Sequence, residues 1–253
     1  LGAGSRLPNK GTVVVTVKNS DKARALVVAR DLKAAEDDIG TDARMAGAGM
    51  GGTDAYNAVT SSPARVEAVR VVNSSTAPDQ IDLLTAPGSG LATSFASTIT
   101  SSTSLTVDSS GGANFAVGDY ALLTNFTDSI LYRVSSTGNT VVSGVSARAL
   151  GVSPPASFPA TTFPAGSLLM KASVLRYSVG LGTAVGMPTR SVLLVEDGAP
   201  LGATTATSMA AEDVIDMQIA MGIDGINGQA ADGQLVEVGA AANDDEWVYN
   251  IAG

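Results

Sequence analysis

Apolar residues recur at Ala25, Val28, Ala29, Leu32, Ala35, Ile39, Ala43 and Ala46. This is the i, i+3, i+4, i+7 spacing of one helical face. The opposite face carries Asp21, Lys22, Arg24, Arg30, Asp31, Lys33, Glu36, Asp37, Asp38 and Arg44. Ser20 is a fitting N-cap and the glycine-rich run from Gly47 to Gly52 a firm stop. The spacing therefore predicts a helix from Ser20 to Ala46, about 40 Å long at the usual helical rise. Gly40 weakens its middle by about 1 kcal/mol relative to Ala.

The remainder of the chain reads as short strands. Val13-Val14-Val15-Thr16-Val17, flanked by Lys10 and Lys18, is β-branched and too short to cross a bilayer. Val66–Val72 alternates as a half-buried strand, and Gln80–Thr85 is a second one closed by Pro87-Gly88. Ser89–Ser110 is a Ser/Thr-rich excursion with Leu105–Val107 as a strand inside it. Tyr120–Thr124, Ser129–Val134 and Thr140–Val145 form a meander of two hairpins, turning at residues 125–128 and at Thr137-Gly138-Asn139. Ala147–Pro164 reads as a loop. Leu168–Val179 is the longest strand, with Pro188–Glu196 as its hairpin partner. In the tail, helical spacing predicts a short helix over Ala210–Asp216, followed by strands at Ile219–Ile223, Gln234–Val238 and Glu246–Ile251. No repeat of solenoid period is present. The expected class is α+β, a long N-terminal helix packed on largely antiparallel β-sheets. The expected organisation is a linker or strand over 1–19, the helix over 20–47 and a β-rich head over 48–253.

Composition narrows the functions. The chain has 253 residues, 45% hydrophobic and 15% charged, enough apolar content for a packed core. Its net charge of −9 is opposite in sign to a nucleic-acid footprint, so no nucleic-acid partner is expected. It has no histidine and no cysteine, which removes the usual general base, the usual triad member and the usual zinc ligands. No carboxylate pair stands out either, so an enzyme is not expected. The charge is uneven: residues 191–253 hold eleven of the 24 carboxylates and no Lys or Arg. That asymmetry points to a solvated acidic face, or to a basic partner or a cation in the tail.

The candidate cation site is a glycine-rich loop carrying Asp224, Asn227 and Asp232, with Asp244, Asp245 and Glu246 further on. Calcium takes six to eight oxygen ligands, and this loop has the composition for it, though not the spacing of an EF-hand. No other cofactor is expected. The spaced glycines of Leu181–Gly186 and Gly47–Gly52 do not join a strand to a helix, so they do not read as a dinucleotide loop. Trp247 and Tyr249 alternate with Val248 and read as core residues of a terminal strand.

Three segments resemble one family. Asp42-Ala43-Arg44-Met45-Ala46-Gly47 is similar to the end of the first helix of PilW-type minor pilins of type IV pili. Phe115–Leu123 followed by Leu131-Tyr132-Arg133-Val134 resembles that family's hairpin pair, and Ala211–Asp224 with Glu246-Trp247-Val248 resembles its tail. The resemblance implies a pilin-like head behind an N-terminal membrane and packing helix, located at the bacterial surface or periplasm and anchored in the membrane before assembly. It implies other pilin subunits as partners in a hetero-oligomeric fibre, contact with membrane only through that helix, and no enzymatic activity. The pilin N-terminus is absent, consistent with a processed or truncated chain, and Thr12–Val17 reads as β where a pilin is still helical. A β-rich adhesin-like or phage-like module recognising a surface or glycan is the second expectation.

Overall fold

A computed structural model describes residues 11–19, 25–50, 52, 54–60, 62–74, 76–86, 90–94, 103–153, 163–182, 189–202, 204–223 and 247–248. In chain order these form β1 (Gly11–Asn19), α1 (Ala25–Met45), β2 (Asp54–Asn57), β3 (Arg65–Glu67), β4 (Val69–Val72), β5 (Gln80–Thr85), β6 (Leu91–Thr93) and β7 (Ser104–Asp108). Then come α2 (Ser109–Gly112), β8 (Tyr120–Thr124), β9 (Ser129–Arg133), β10 (Ser136–Val142), β11 (Val145–Gly151) and β12 (Leu168–Gly182). The chain continues with β13 (Arg190–Asp197), a 3-10 turn (Ala199–Leu201), β14 (Ala206–Glu212), β15 (Val214–Ile223) and β16 (Trp247–Val248).

The organising element is β12. Its first residues, Leu168–Ala172, pair with β6 and β8, and Ser173–Gly182 pair with β5 and β13, all antiparallel. One strand thus serves two runs of a ten-stranded sheet that curls into a half-barrel. Two three-stranded sheets accompany it, in the orders β1-β15-β16 and β10-β11-β7. Pairing is antiparallel except between β2 and β9.

Side-chain alternation along these strands builds three core clusters. The first holds Leu105, Val107 and Leu150 from the β7/β11 sheet against Leu123, Ile130, Tyr132 and Leu169, with Phe115 and Phe163. The second holds Ile81, Leu83, Tyr177 and Leu193 against Val214, Met217 and Ile219 of β15, with Ala35 and Ile39 of α1. The third gathers Ala55, Val66, Leu84, Tyr120, Leu122, Leu131 and Val174.

The α+β expectation is corrected by this arrangement. The fold is mostly β, 56% strand and 13% helical, and no long N-terminal helix organises it. Two physical reasons account for the difference. The β-branched run at the N-terminus pairs with β15, so a strand stands ahead of the helix, whose described residues are Ala25–Met45; the expected start at Ser20 lies outside the described residues. The helix's apolar stripe is also built largely of alanine, which buries little area. Among the described side chains, two of the three clusters contain no residue of α1. The tail helix expected over Ala210–Asp216 is likewise absent: Asp213, at φ +57°, breaks the segment into β14 and β15. The loop expected over Ala147–Pro164 begins as strand β11, and the turn expected at Thr137-Gly138-Asn139 lies inside β10, with the reversal at Ser143-Gly144.

Candidate functional site

The buried polar groups are the natural place to look for chemistry, because each must be matched by a partner. Asp79 is fully buried and accepts from the N–H groups of Ser74 and Ile219 at 3.0 and 2.9 Å, while its own N–H donates to Met217 O. It ties the loop before β5 to β15. Asp82 accepts a bidentate pair from the Arg176 Nε and Nη2 at 2.7 and 2.9 Å. The hydrogen bond from Arg176 to Asp82 holds the guanidinium pKa above its usual value, against burial. Arg70 and Glu196 stand in register beside this pair, so charges of alternating sign cross β4, β5, β12 and β13. Asn57 accepts at Oδ1 from the N–H of Val59 and Thr60 and donates from Nδ2 to Pro63 O and Thr60 Oγ1, closing the β2–β3 turn on itself. These groups are engaged in holding strands and turns together.

The segments that carried the family resemblance occupy junctions. The Asp42 carboxylate accepts a 2.6 Å hydrogen bond from the Tyr177 hydroxyl of β12. Ala46 forms a bridge with Thr85, and the Gly47 N–H donates to Leu84 O at 3.0 Å. Gly47 has φ +72°, and a Cβ there would lie 2.9 Å from the Ala68 Cβ, so glycine is required on both grounds. The run from Asp42 to Gly47 is therefore the clasp that seats the end of α1 on the sheet. In the second segment Gly118, at φ +96°, donates its N–H to Val134 O. Asp119 accepts from the Ala116 N–H and pairs with Lys171 at 2.8 Å. In the third, Val214 and Met217 are buried and Asp79 is bonded to β15.

The surface offers contact residues. Lys33, Ala34, Asp37, Asp38, Thr41 and Arg44 form the exposed face of α1, with Lys33 and Asp37 paired at 2.6 Å. Phe126, 62% exposed, stands at the β8–β9 tip with φ +64°. Its N–H donates to Thr124 Oγ1, and Asn125 Oδ1 accepts from Thr127 and Asp128, so the tip is locked by side chains.

The calcium candidates Asp224, Asn227 and Asp232 lie outside the described residues, as do Asp244, Asp245, Glu246 and Tyr249. Among the described residues no group of three acidic side chains is placed to hold a metal. No described helix is long and apolar enough to cross a membrane. Sequence reading passed over Asp79, Asp108, Asn57 and Phe126. The signal for Asp79 was its place directly before an apolar strand. For Phe126 it was the flanking Asn125 and Asp128, both turn formers.

Comparison with known proteins adds little. No family model matches the chain, and no solved structure matches it. A stretch of 32 residues is 72% identical to part of the carbamoyl phosphate synthase large chain of Ralstonia nicotianae (strain ATCC BAA-1114 / GMI1000), covering 13% of this chain and 3% of that one. A piece that small carries neither fold nor activity across.

Proposed function

We propose that this chain is a structural subunit of a type IV pilus-like fibre, a minor pilin that works through protein–protein contacts and not through catalysis. The observation that carries the reading is the clasp from Asp42 to Gly47. Three of the six residues that resemble the minor-pilin helix ending have a physical task there: Asp42 for Tyr177, Ala46 for Thr85, Gly47 for the close approach of Ala68. The reading is further supported by buried carboxylates that are engaged in structural hydrogen bonds. Its partners are other subunits of the fibre, and its location is the cell surface or periplasm. The test is to shear surface fibres from the source cells and probe them for this chain. Co-purification with fibres, lost on deletion of the major subunit, is expected. Recovery of the chain in the cytosol alone, with fibres free of it, would overturn the reading.

The second reading, a β-rich module that recognises a surface or glycan, draws on the exposed and locked Phe126. It expects Phe126→Ala to abolish binding to whichever immobilised glycan or cell surface retains the wild-type chain, with the fold unchanged by circular dichroism.

A further inference from the structure

Open strand edges are templates for another strand, and folded proteins blunt them with charge, proline, bulges or shortness. The described edges of this fold nearly all show such a device. β3 is three residues long and carries Arg65 and Glu67. β4 is four residues long and carries Arg70. β14 has a register shift opposite Leu193/Leu194 and ends on Glu212. β1 carries Lys18, and β16 is two residues long. β10 is the exception. Its seven residues, Ser136-Thr137-Gly138-Asn139-Thr140-Val141-Val142, include no charge and no proline, and they pair one-to-one with β11 from Gly151 to Val145 without a bulge. At its turn, Val141 and Val145 are 66% and 55% exposed.

We infer that β10 is the interface for a second copy of this chain, joined antiparallel edge to edge. Self-pairing about Asn139 sets Thr137 opposite Val141, Gly138 opposite Thr140 and Ser136 opposite Val142. No charge meets a charge anywhere along it. The pairing joins β7-β11-β10 to its own copy as one six-stranded sheet. Val141, which projects past the buried Leu150 and Val107 on the same face, gains a β-branched neighbour. Charge distribution supports the same occupant. The chain as a whole is −9, yet from Val134 to Ser153 it has no carboxylate and one cation, Arg148. Arg148 reaches from β11 to Thr137 Oγ1 and Asn139 Oδ1 of the edge strand itself, at 3.2 and 3.4 Å. Two copies of an acidic protein can approach there without opposing carboxylates. This inference stands independently of the fibre reading.

The test is sedimentation velocity on the full chain over a concentration series. The wild type is expected to move from monomer to a species of doubled mass. Asn139→Lys places two ammonium groups opposite each other and is expected to hold the protein at monomer mass. Asn139→Asp does the same with the opposite sign and keeps an oxygen for Arg148. Because the chain has no cysteine, Asn139→Cys supplies a single thiol at the dyad. Directly opposed residues of antiparallel strands stand about 4.5–5.5 Å apart at Cα, inside the range a disulfide spans. Mild oxidation should therefore link Asn139→Cys into dimers, and should not link Met209→Cys on the β14 edge. A wild type that stays monomeric at every concentration, charge variants that dimerise as it does, or equal linking of the two cysteine variants would each overturn the inference.

Discussion

Single side chains set the pH behaviour of this protein. Asp108 caps α2 and accepts from the Thr93 and Gly111 N–H groups at 2.7 and 2.6 Å, and from the hydroxyls of Ser110 and Thr93. Burial pushes its carboxyl pKa up, but these hydrogen bonds outweigh burial and hold it below the usual value. A depressed carboxyl stabilises the fold above its unfolded pKa, near 3.9, and that stability is lost as pH falls through the folded value. Asp108→Asn should therefore cost about 1–2 kcal/mol at neutral pH, and denaturant melts of the variant should show a shallower loss below pH 4. Tyr132 and Tyr177 act at the other end of the scale. Burial raises both phenols, and Tyr177 is raised further by its bond to Asp42. Raised phenols leave stability level below the unfolded pKa of about 10 and erode it as pH rises beyond. Thermal melts should be flat through neutrality and fall in alkali, less steeply for Tyr132→Phe. That variant also removes a buried hydroxyl with no partner among the described residues, so its Tm at neutral pH should equal or exceed the wild type's.

Elements are held by a few polar ties laid over apolar packing. Asp79 joins β15 to the loop before β5, and Asp79→Ala removes the acceptor of the part-buried Ser74 N–H and the buried Ile219 N–H. A loss of about 3 kcal/mol is expected, read as faster amide exchange along β15 before the rest of the sheet. Ile39→Ala, at the one large buried side chain of the described part of α1, should cost about 2–5 kcal/mol. The strands were largely legible in the sequence, because Gln80–Thr85, Tyr120–Thr124 and the Leu168/Arg190 hairpin carry β-branched and apolar runs bounded by turn residues. The weight of the helix was not legible. Periodicity reports which face is apolar, and it is silent on how little an alanine stripe contributes beside three clusters built mostly by strands. Ala210–Met221 misled for a related reason. Its apolar positions fit either spacing until Asp213 turns the chain, and a left-handed Asp has no periodic signature. Of the candidate site, the clasp at Asp42–Gly47 was visible as a motif, but its partners Tyr177 and Ala68 are remote in sequence.

At the scale of the molecule, charge is distributed unevenly along the chain. The tail's net charge is unrelieved by any Lys or Arg after Arg190. Chelator is expected to leave the Tm unchanged. A fall of several degrees with EDTA that calcium restores would assign a cation to the loop of Asp224, Asn227 and Asp232. The pairing of the first strand with β15 has a consequence for how the chain comes to fold. Val17 meets Met217, a partner 200 positions away. Contacts of that separation must wait for the closure of a very long loop, which slows folding. During synthesis the first strand leaves the ribosome long before its mate exists, while the β8–β9 and β10–β11 hairpins close locally. Refolding should then show the hairpins protected early and β1 last, and a chaperone that shields one short β-branched segment would raise the yield of the whole.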